Sequence, residues 1–278
     1  MTAANPMRKA WLVVNAGSGS TDAAVLDWLR ERFAKVGVAV AGTTDFPEQP
    51  LPAAAQLDDA GADTLVICGG DGTINAAWSK ADDWDGQCLV LPGGTMNGLA
   101  KALHGDATRE AILAEAASAH LVNPPLATSE GRHALVGVIL GPAASWVHAR
   151  EGVRKGRFVR AIRAARLAWA RSFGRTVRVE GIAGRHRAVF VLPGSDALEV
   201  SAISAEGVTD AIRIGWQWLL GDWRTAAGVT VDTRSEVTLT GRRTVRALFD
   251  GEPAMLSSPA CIRHGRTRLP FLSTLKPA

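Results

Sequence analysis

The sequence is poor in the features that mark a stapled, metal-bound or membrane-spanning protein. Only three cysteines occur in 278 residues, at Cys68, Cys88 and Cys261. Their number is odd and no two are close in sequence. Neither a disulfide framework nor a zinc site is therefore expected, and a reducing, cytoplasmic setting is the natural reading. No run of about 18 apolar residues is present, so no segment is expected to span a bilayer. The first ten residues lack an apolar stretch, which argues against a secretory signal. Internal repeats and low-complexity tracts are absent as well. What is present is a 47% hydrophobic, 21% charged chain, the balance of a globular protein with room for two modest domains or one large one. Lys and Arg (31) exceed Asp and Glu (27) by four charges. That surplus suits anionic membrane surfaces, nucleic acid or phosphorylated substrates without choosing among them.

The first third alternates strand and helix. Short apolar strands are expected at 11–15, 38–41, 64–68 and 88–91, with helices after a cap at Thr21 or Asp22 and at 52–60, 73–80 and 99–103. In the first helix Val25, Leu26, Leu29, Phe33 and Val36 recur at helical spacing, with Arg30, Glu31, Arg32 and Lys35 on the other face. Such alternation implies a parallel sheet covered on both faces, and ligands of such sheets bind beyond the carboxyl ends of the strands. Glycine turns at 15–20, 69–73 and 93–97 all fall at that edge.

The middle turn is the most informative. Residues 65–75 read Leu-Val-Ile-Cys-Gly-Gly-Asp-Gly-Thr-Ile-Asn. Gly69, Gly70 and Gly72 let the backbone approach a ligand with no Cβ in the way. The helix that follows aims its free N–H groups and positive dipole end at the same point, which suits phosphate. Asp71 repels phosphate, so its expected work is through a metal ion or as a base.

After about residue 122 the character changes. Asn123-Pro124-Pro125 reads as a linker. Short strands are expected at 133–140, 176–180, 188–192, 198–204, 229–233, 237–240 and 246–249, with a glycine hairpin turn at 181–184, which suggests a β-sandwich. Two helices interrupt it, at about 154–172 and 209–220. The first is basic, with Arg150, Arg154, Lys155, Arg157, Arg160, Arg163, Arg166 and Arg171, and carries an apolar stripe of Phe158, Ile162, Ala165 and Trp169. It fits either an anionic bilayer surface or an ordinary solvated face. Trp216, Trp218 and Trp223 fit either core or a lipid contact. The six histidines are scattered, and no metal or base role is assigned to them.

Gly-Gly-Asp-Gly-Thr-Ile-Asn (69–75), Leu-Pro-Gly-Gly-Thr-Met-Asn (91–97) and Phe-Asp-Gly-Glu-Pro (249–253) occur in that order. With these motifs the chain resembles the diacylglycerol kinase catalytic-domain family, in particular the bacterial soluble lipid kinases, with sphingosine kinases as cousins. The first motif alone is shared with NAD kinases; the trio is more specific. The resemblance implies an α/β nucleotide-binding domain at 1–122, with 266–278 returning to it, and a β-sandwich lipid-substrate domain at 123–265. It implies an ATP site in the cleft between them, ATP and Mg²⁺ as cofactors, and transfer of the γ-phosphoryl group to a lipid hydroxyl, most simply that of diacylglycerol. The expected location is cytoplasmic, with peripheral contact at an anionic inner membrane face and no nucleic-acid partner.

Site residues follow position by position. The resemblance places Gly69, Gly70, Asp71, Gly72, Thr73, Ile74 and Asn75 around the ATP phosphates, and Gly94, Thr95 and Asn97 at a second nucleotide-contacting turn. Asn15 opens the first turn, and Thr43 or its neighbour Thr44 matches a nucleotide-contacting threonine. Asp250 and Glu252 match the acidic pair that holds the proton acceptor; either can be the base, with the other on metal. On that basis Asp250→Asn is expected to fold and to lose turnover. The chain departs from the family at Gly98, where Asp is usual, at Ala16, where Pro is usual, and at 194–200, where the usual glycine is missing and Asp196 is the candidate Mg²⁺ ligand. Two other readings stand beside this one: a soluble-substrate kinase of NAD-kinase type, and a non-catalytic nucleotide- or lipid-binding regulator.

Overall fold

A computed structural model describes residues 7–17, 24–141, 176–203, 229–241 and 243–276. The expected cap at Thr21 or Asp22, the basic helix at 154–172, the helix at 209–220, and Trp216, Trp218 and Trp223 lie outside the described residues. The chain divides into two units, one within Met1–Pro124 and Arg266–Ala278, the other within Pro125–Gly265. Among the described residues no helix is long and apolar enough to cross a membrane.

The first unit runs β1 (Lys9–Val14), α1 (Ala24–Lys35), β2 (Ala39–Asp45), α2 (Ala54–Asp59), β3 (Thr64–Gly69), α3 (Asp71–Lys80), β4 (Gln87–Pro92), α4 (Gly98–His104), α5 (Arg109–Glu115) and β5 (His120–Val122). Its six-stranded sheet has the order β2-β1-β3-β4, then the chain's last strand (Phe271–Ser273), then β5. The first four strands are parallel. The last strand runs parallel to β4 and antiparallel to β5, so the sheet is mixed at that edge. Every residue of β3 is buried, as a central parallel strand covered on both faces requires. One face packs Leu12, Val14, Val66, Cys68, Leu89 and Leu91 against Val25, Leu29 and Phe33 of α1 and Ile112 of α5.

The helical stripe of α1 ends one residue early. Gly37 takes a positive φ of 75°, its N–H donates to Ala34 O at 3.3 Å, and Val38 N–H donates to Phe33 O at 2.9 Å. This closing motif satisfies the final carbonyls and turns the chain outward. Val36, expected in the stripe, is instead 66% exposed, whereas Phe33 is 1% exposed.

The C-terminal segment is tied to α4. Ser273 Oγ donates to Leu103 O at 2.8 Å, and Thr274 N–H donates to the same carbonyl at 3.2 Å. His104 Nδ1 lies 3.0 Å from Thr274 Oγ1. Burial pushes the His104 imidazole down to about 4, against a backbone hydrogen bond at Val90 that raises it.

The second unit contains β6 (Pro125–Ser129), β7 (Arg132–Ala134), β8 (Val138–Leu140), β9 (Val177–Val179), β10 (Ile182–His186), β11 (Ala188–Pro193), β12 (Leu198–Ile203), β13 (Val229–Arg234), β14 (Glu236–Thr240), β15 (Thr244–Phe249), β16 (Glu252–Ser257) and β17 (Ala260–Arg266). They form two six-stranded sheets, β10-β9-β14-β17-β6-β7 and β13-β12-β11-β8-β15-β16. One core joins them: Val177, Val179, Val237, Leu239 and Ile262 from the first sheet meet Val138, Leu140, Val189, Val191, Val245 and Leu256 from the second. Two sheets packed through alternating inward side chains make a sandwich. The single strand expected at 133–140 is in fact two, β7 and β8, interrupted at residues 135–137.

Phe33→Ala is expected to cost about 3–5 kcal/mol in urea unfolding, and Val36→Ala to stay within about 0.5 kcal/mol. His104 is held neutral in the fold, so its contribution is present above its unfolded value near 6.5 and lost as pH falls toward 4. Melting temperature is expected to fall more steeply between pH 6.5 and 4 in the wild type than in His104→Gln.

Candidate nucleotide-binding turns and the acidic hairpin

The turn from β3 into α3 is built for close approach. Gly70 is the N-cap of α3 with an extended backbone, and no side chain caps the helix there. The first N–H groups of the helix therefore lack carbonyl partners within it. A Cβ on Gly69 would lie 2.9 Å from Thr73 Cβ, so the helix begins directly over the strand. Thr73 Oγ1 accepts from Asn15 Nδ2 at 2.9 Å, and Asn15 N–H donates to Cys68 O at 3.1 Å. These two bonds join the first glycine turn to the middle one. Ile74 is fully buried, and Asn75 is largely buried with its Oδ1 accepting from Ser79 Oγ at 3.1 Å. Both side chains support the helix from within.

The second turn is fastened to the same place. Gly93 N–H donates to Gly69 O at 3.1 Å. A Cβ on Gly94 would lie 2.6 Å from Gly70 Cα, so the two glycine turns touch backbone to backbone. Asn97 sits in the left-handed region (φ 52°) as the N-cap of α4, and its Oδ1 accepts from Gly94 N–H at 2.6 Å. Thr95 is exposed at the tip. Asp71 completes the joint. Its two oxygens accept from Gly98 N–H at 3.1 Å and Leu99 N–H at 3.0 Å, the opening amides of α4. Read from sequence as a metal ligand or base, Asp71 here caps a neighbouring helix 27 residues on. Arg109 Nε donates to Pro92 O at 2.8 Å at the root of the turn. A cavity of about 130 Å³ flanks Asn97, lined also by Pro92, Ala100, Lys101 and residues 105–107.

The two threonines at β2 separate cleanly. Thr44 is 2% exposed and its Oγ1 accepts from Trp11 Nε1 at 3.0 Å, so it is a core group withdrawn from any ligand. Thr43 is half-buried and accepts from Arg30 Nη2 at 3.2 Å, which leaves it as the reachable one.

In the second unit, Asp250 and Gly251 form the two-residue loop of the β15–β16 hairpin, with Phe249 paired to Glu252. Both take positive φ, 48° and 94°, as a type I′ turn requires, and Asp-Gly is a preferred pair there. Asp250 Oδ2 accepts from Leu135 N–H at 2.8 Å, and Oδ1 accepts from Val136 and Gly137 N–H, both at 2.9 Å. Asp250 N–H donates to Gly137 O at 3.1 Å. These bonds account for the break between β7 and β8: the amides of residues 135–137 serve the carboxylate instead of a sheet ladder. Glu252 opens β16 with its side chain exposed. Asp196 lies in the exposed turn between β11 and β12, where Ser195 Oγ donates to its Oδ2 at 2.8 Å. Among the described residues no three His, Cys, Asp or Glu converge as a metal site.

Sequence reasoning missed Gly98 and Leu99 as partners of Asp71, Arg109 at the root of the turn, and the amides of residues 135–137. Gly137 carried a signal. An isolated glycine inside a strand pattern marks a bulge or close approach, and a Cβ there would lie 2.7 Å from Leu192 Cδ2.

Asp71→Ala strands two amides and is expected to cost about 1–3 kcal/mol. Amide exchange at Gly98 and Leu99 should accelerate while that of β3 stays slow. Gly94→Ala, which forces backbone apart, is expected to lose about 1–3 kcal/mol in the same assay.

Residues 9–124 match the diacylglycerol kinase catalytic domain family. No curated protein matches the chain significantly. Three solved structures from Bacillus anthracis str. Sterne share the fold, one described as a diacylglycerol kinase and two provisionally so. The first is 14% identical with a TM-score of 0.61, and a second is 16% identical with a TM-score of 0.66. The third is 16% identical with a TM-score of 0.65. Each alignment covers 97% of this chain and 98% of the other. Over residues 9–124, the stretch that carries the two joined glycine turns, the chain is similar to the diacylglycerol kinase catalytic domain family.

Proposed function

We propose that the chain is an ATP-dependent lipid kinase whose simplest substrate is diacylglycerol. The observation that carries this reading is the backbone contact of Gly70 with Gly94 beside the uncapped start of α3. Two loops without Cβ atoms and a row of helix amides make a surface that a polyphosphate can approach closely. ATP fits this donor set. The amides of residues 71–73 and of Thr95 would hold its phosphates, Thr73 and Asn15 would lie alongside, and Thr43 would face the nucleoside.

Mg²⁺ accompanies ATP and neutralises phosphate charge. Among the described residues no three His, Cys, Asp or Glu form a protein cage for an ion, and Asp196 would serve only as a ligand of an auxiliary Mg²⁺. The residues of this chain bind, orient and move a proton. As the acceptor oxygen attacks, the bond from the γ-phosphorus to its bridging oxygen breaks and ADP leaves with the electron pair. The hydroxyl proton passes to the Asp250–Glu252 pair. Positioning and charge compensation supply most of the acceleration. The proposed location is cytoplasmic, with contact at an anionic membrane face where the substrate resides.

One set of bonds favours a second reading. Asp71 and Asp250 both spend their oxygens on backbone amides, as they would in a regulator that binds nucleotide without transferring it. Incubation with γ-labelled ATP, Mg²⁺ and mixed micelles of diacylglycerol, monoacylglycerol, sphingosine or ceramide, with NAD as a soluble acceptor, separates the readings. Labelled phosphatidic acid is the expected product. ATP binding with no labelled product would establish the regulator, and labelled NADP a soluble-substrate kinase.

A further inference from the structure

We infer that the C-terminal segment is a working part of the nucleotide site: Ser273 and Thr274 are positioning residues that fix α4, and through α4 the turn at 93–97. The inference rests on the nucleotide reading of the glycine turns and needs no particular acceptor substrate.

The far end of α4 is capped by a distant stretch of chain. A helix leaves its last carbonyls without partners of its own. Leu103 O, one of these, accepts from Ser273 Oγ at 2.8 Å and from Thr274 N–H at 3.2 Å. His104 Nδ1 lies 3.0 Å from Thr274 Oγ1, and the backbone at Val90 holds the imidazole from the side of β4. Leu103, His104 and Ser273 are each at most 4% exposed. Water therefore does not replace a partner that is lost there.

The near end of α4 is the turn itself. Asn97, the N-cap, accepts from Gly94 N–H, and Asp71 takes the amides of Gly98 and Leu99. Gly98–His104 is two turns of helix, about 10 Å long, so a shift at Leu103 is carried to Asn97. Packing does not hold the helix on every side. The cavity of about 130 Å³ runs beside it, along Asn97, Ala100, Lys101 and residues 105–107. The last strand supplies the constraint that this flank lacks. All three of its residues are buried, and Phe271 opposite Cys88 sets it parallel to β4. One strand thus fixes both roots of the turn: β4, which enters it, by the sheet ladder, and α4, which leaves it, by the bonds to Leu103 and His104.

Full-length protein carrying Ser273→Ala and Thr274→Val together tests this. ATP affinity is measured by calorimetry in the presence of Mg²⁺, with amide exchange at Gly94, Gly98 and Leu99 and with melting temperature. The double variant is expected to bind ATP at least about 5-fold more weakly. It should exchange faster at all three amides while β3 stays slow, and melt about 2–8 °C lower. Thr274→Ser, which keeps the hydroxyl, should bind ATP as the wild type does. Leu57→Ala, a fully buried truncation in α2, should melt as low or lower and keep the wild-type affinity. Wild-type affinity and exchange in the double variant overturn the inference. An equal loss of affinity in Leu57→Ala overturns it too, because the effect would then be one of general stability. Should the double variant not fold, Thr274→Val alone, which keeps both bonds to Leu103, is judged by the same affinity and exchange. If the wild type binds no ATP, the role in binding falls with the nucleotide reading, and exchange at Gly94 still decides whether the C-terminal segment sets the turn.

Discussion

The contact between Gly70 and Gly94 governs the first unit's candidate site. A hypothetical Cβ only 2.6 Å from the opposing backbone leaves no room for any residue but glycine at position 94. Because the loops touch, their outward amides can serve one ligand, and because Asp71 bonds the amides that open α4, the loops keep that spacing. Asn15, bonded to Thr73, brings the end of β1 into the same assembly. The glycines give access and the polar side chains around them give stiffness.

The same device appears twice in unrelated surroundings. Asp71 satisfies two amides at the start of a helix; Asp250 satisfies three amides in a break between strands. In both, an acid within a glycine motif is engaged by backbone that the motif itself does not contain. A carboxylate is well suited to this because it is an acceptor only, and charge-assisted bonds to N–H groups are stronger than neutral ones. A motif acid can therefore be essential to a site while never touching the substrate.

This is also why the site was only partly legible in the sequence. The glycine turns, the strand–helix alternation and the α1 stripe could be read because they are local. Leu65–Cys68 is a continuous apolar run and is wholly buried. The partners of Asp71 and Asp250 could not be read, since they lie 27 and more than 110 residues away. Thr44 could not be told from Thr43 without knowing that Trp11 reaches across from β1. Among the strands, β10 was missed because Ile182–His186 is polar and glycine-containing with three exposed residues, and β16 because Pro253 and Met255 break the expected alternation at a sheet edge. Phe271–Ser273 is too short to declare itself, though all three residues are buried.

That last strand has a bearing on biosynthesis. It is inserted between β4 and β5 and pairs with both, so the sheet that carries the glycine turns is interrupted until residues 271–273 are made. A ribosome makes residues 125–265 before it makes the strand that closes the N-terminal sheet. The sandwich is encoded inside the α/β layer, so the sheet beneath the glycine turns closes only after the sandwich segment has been made.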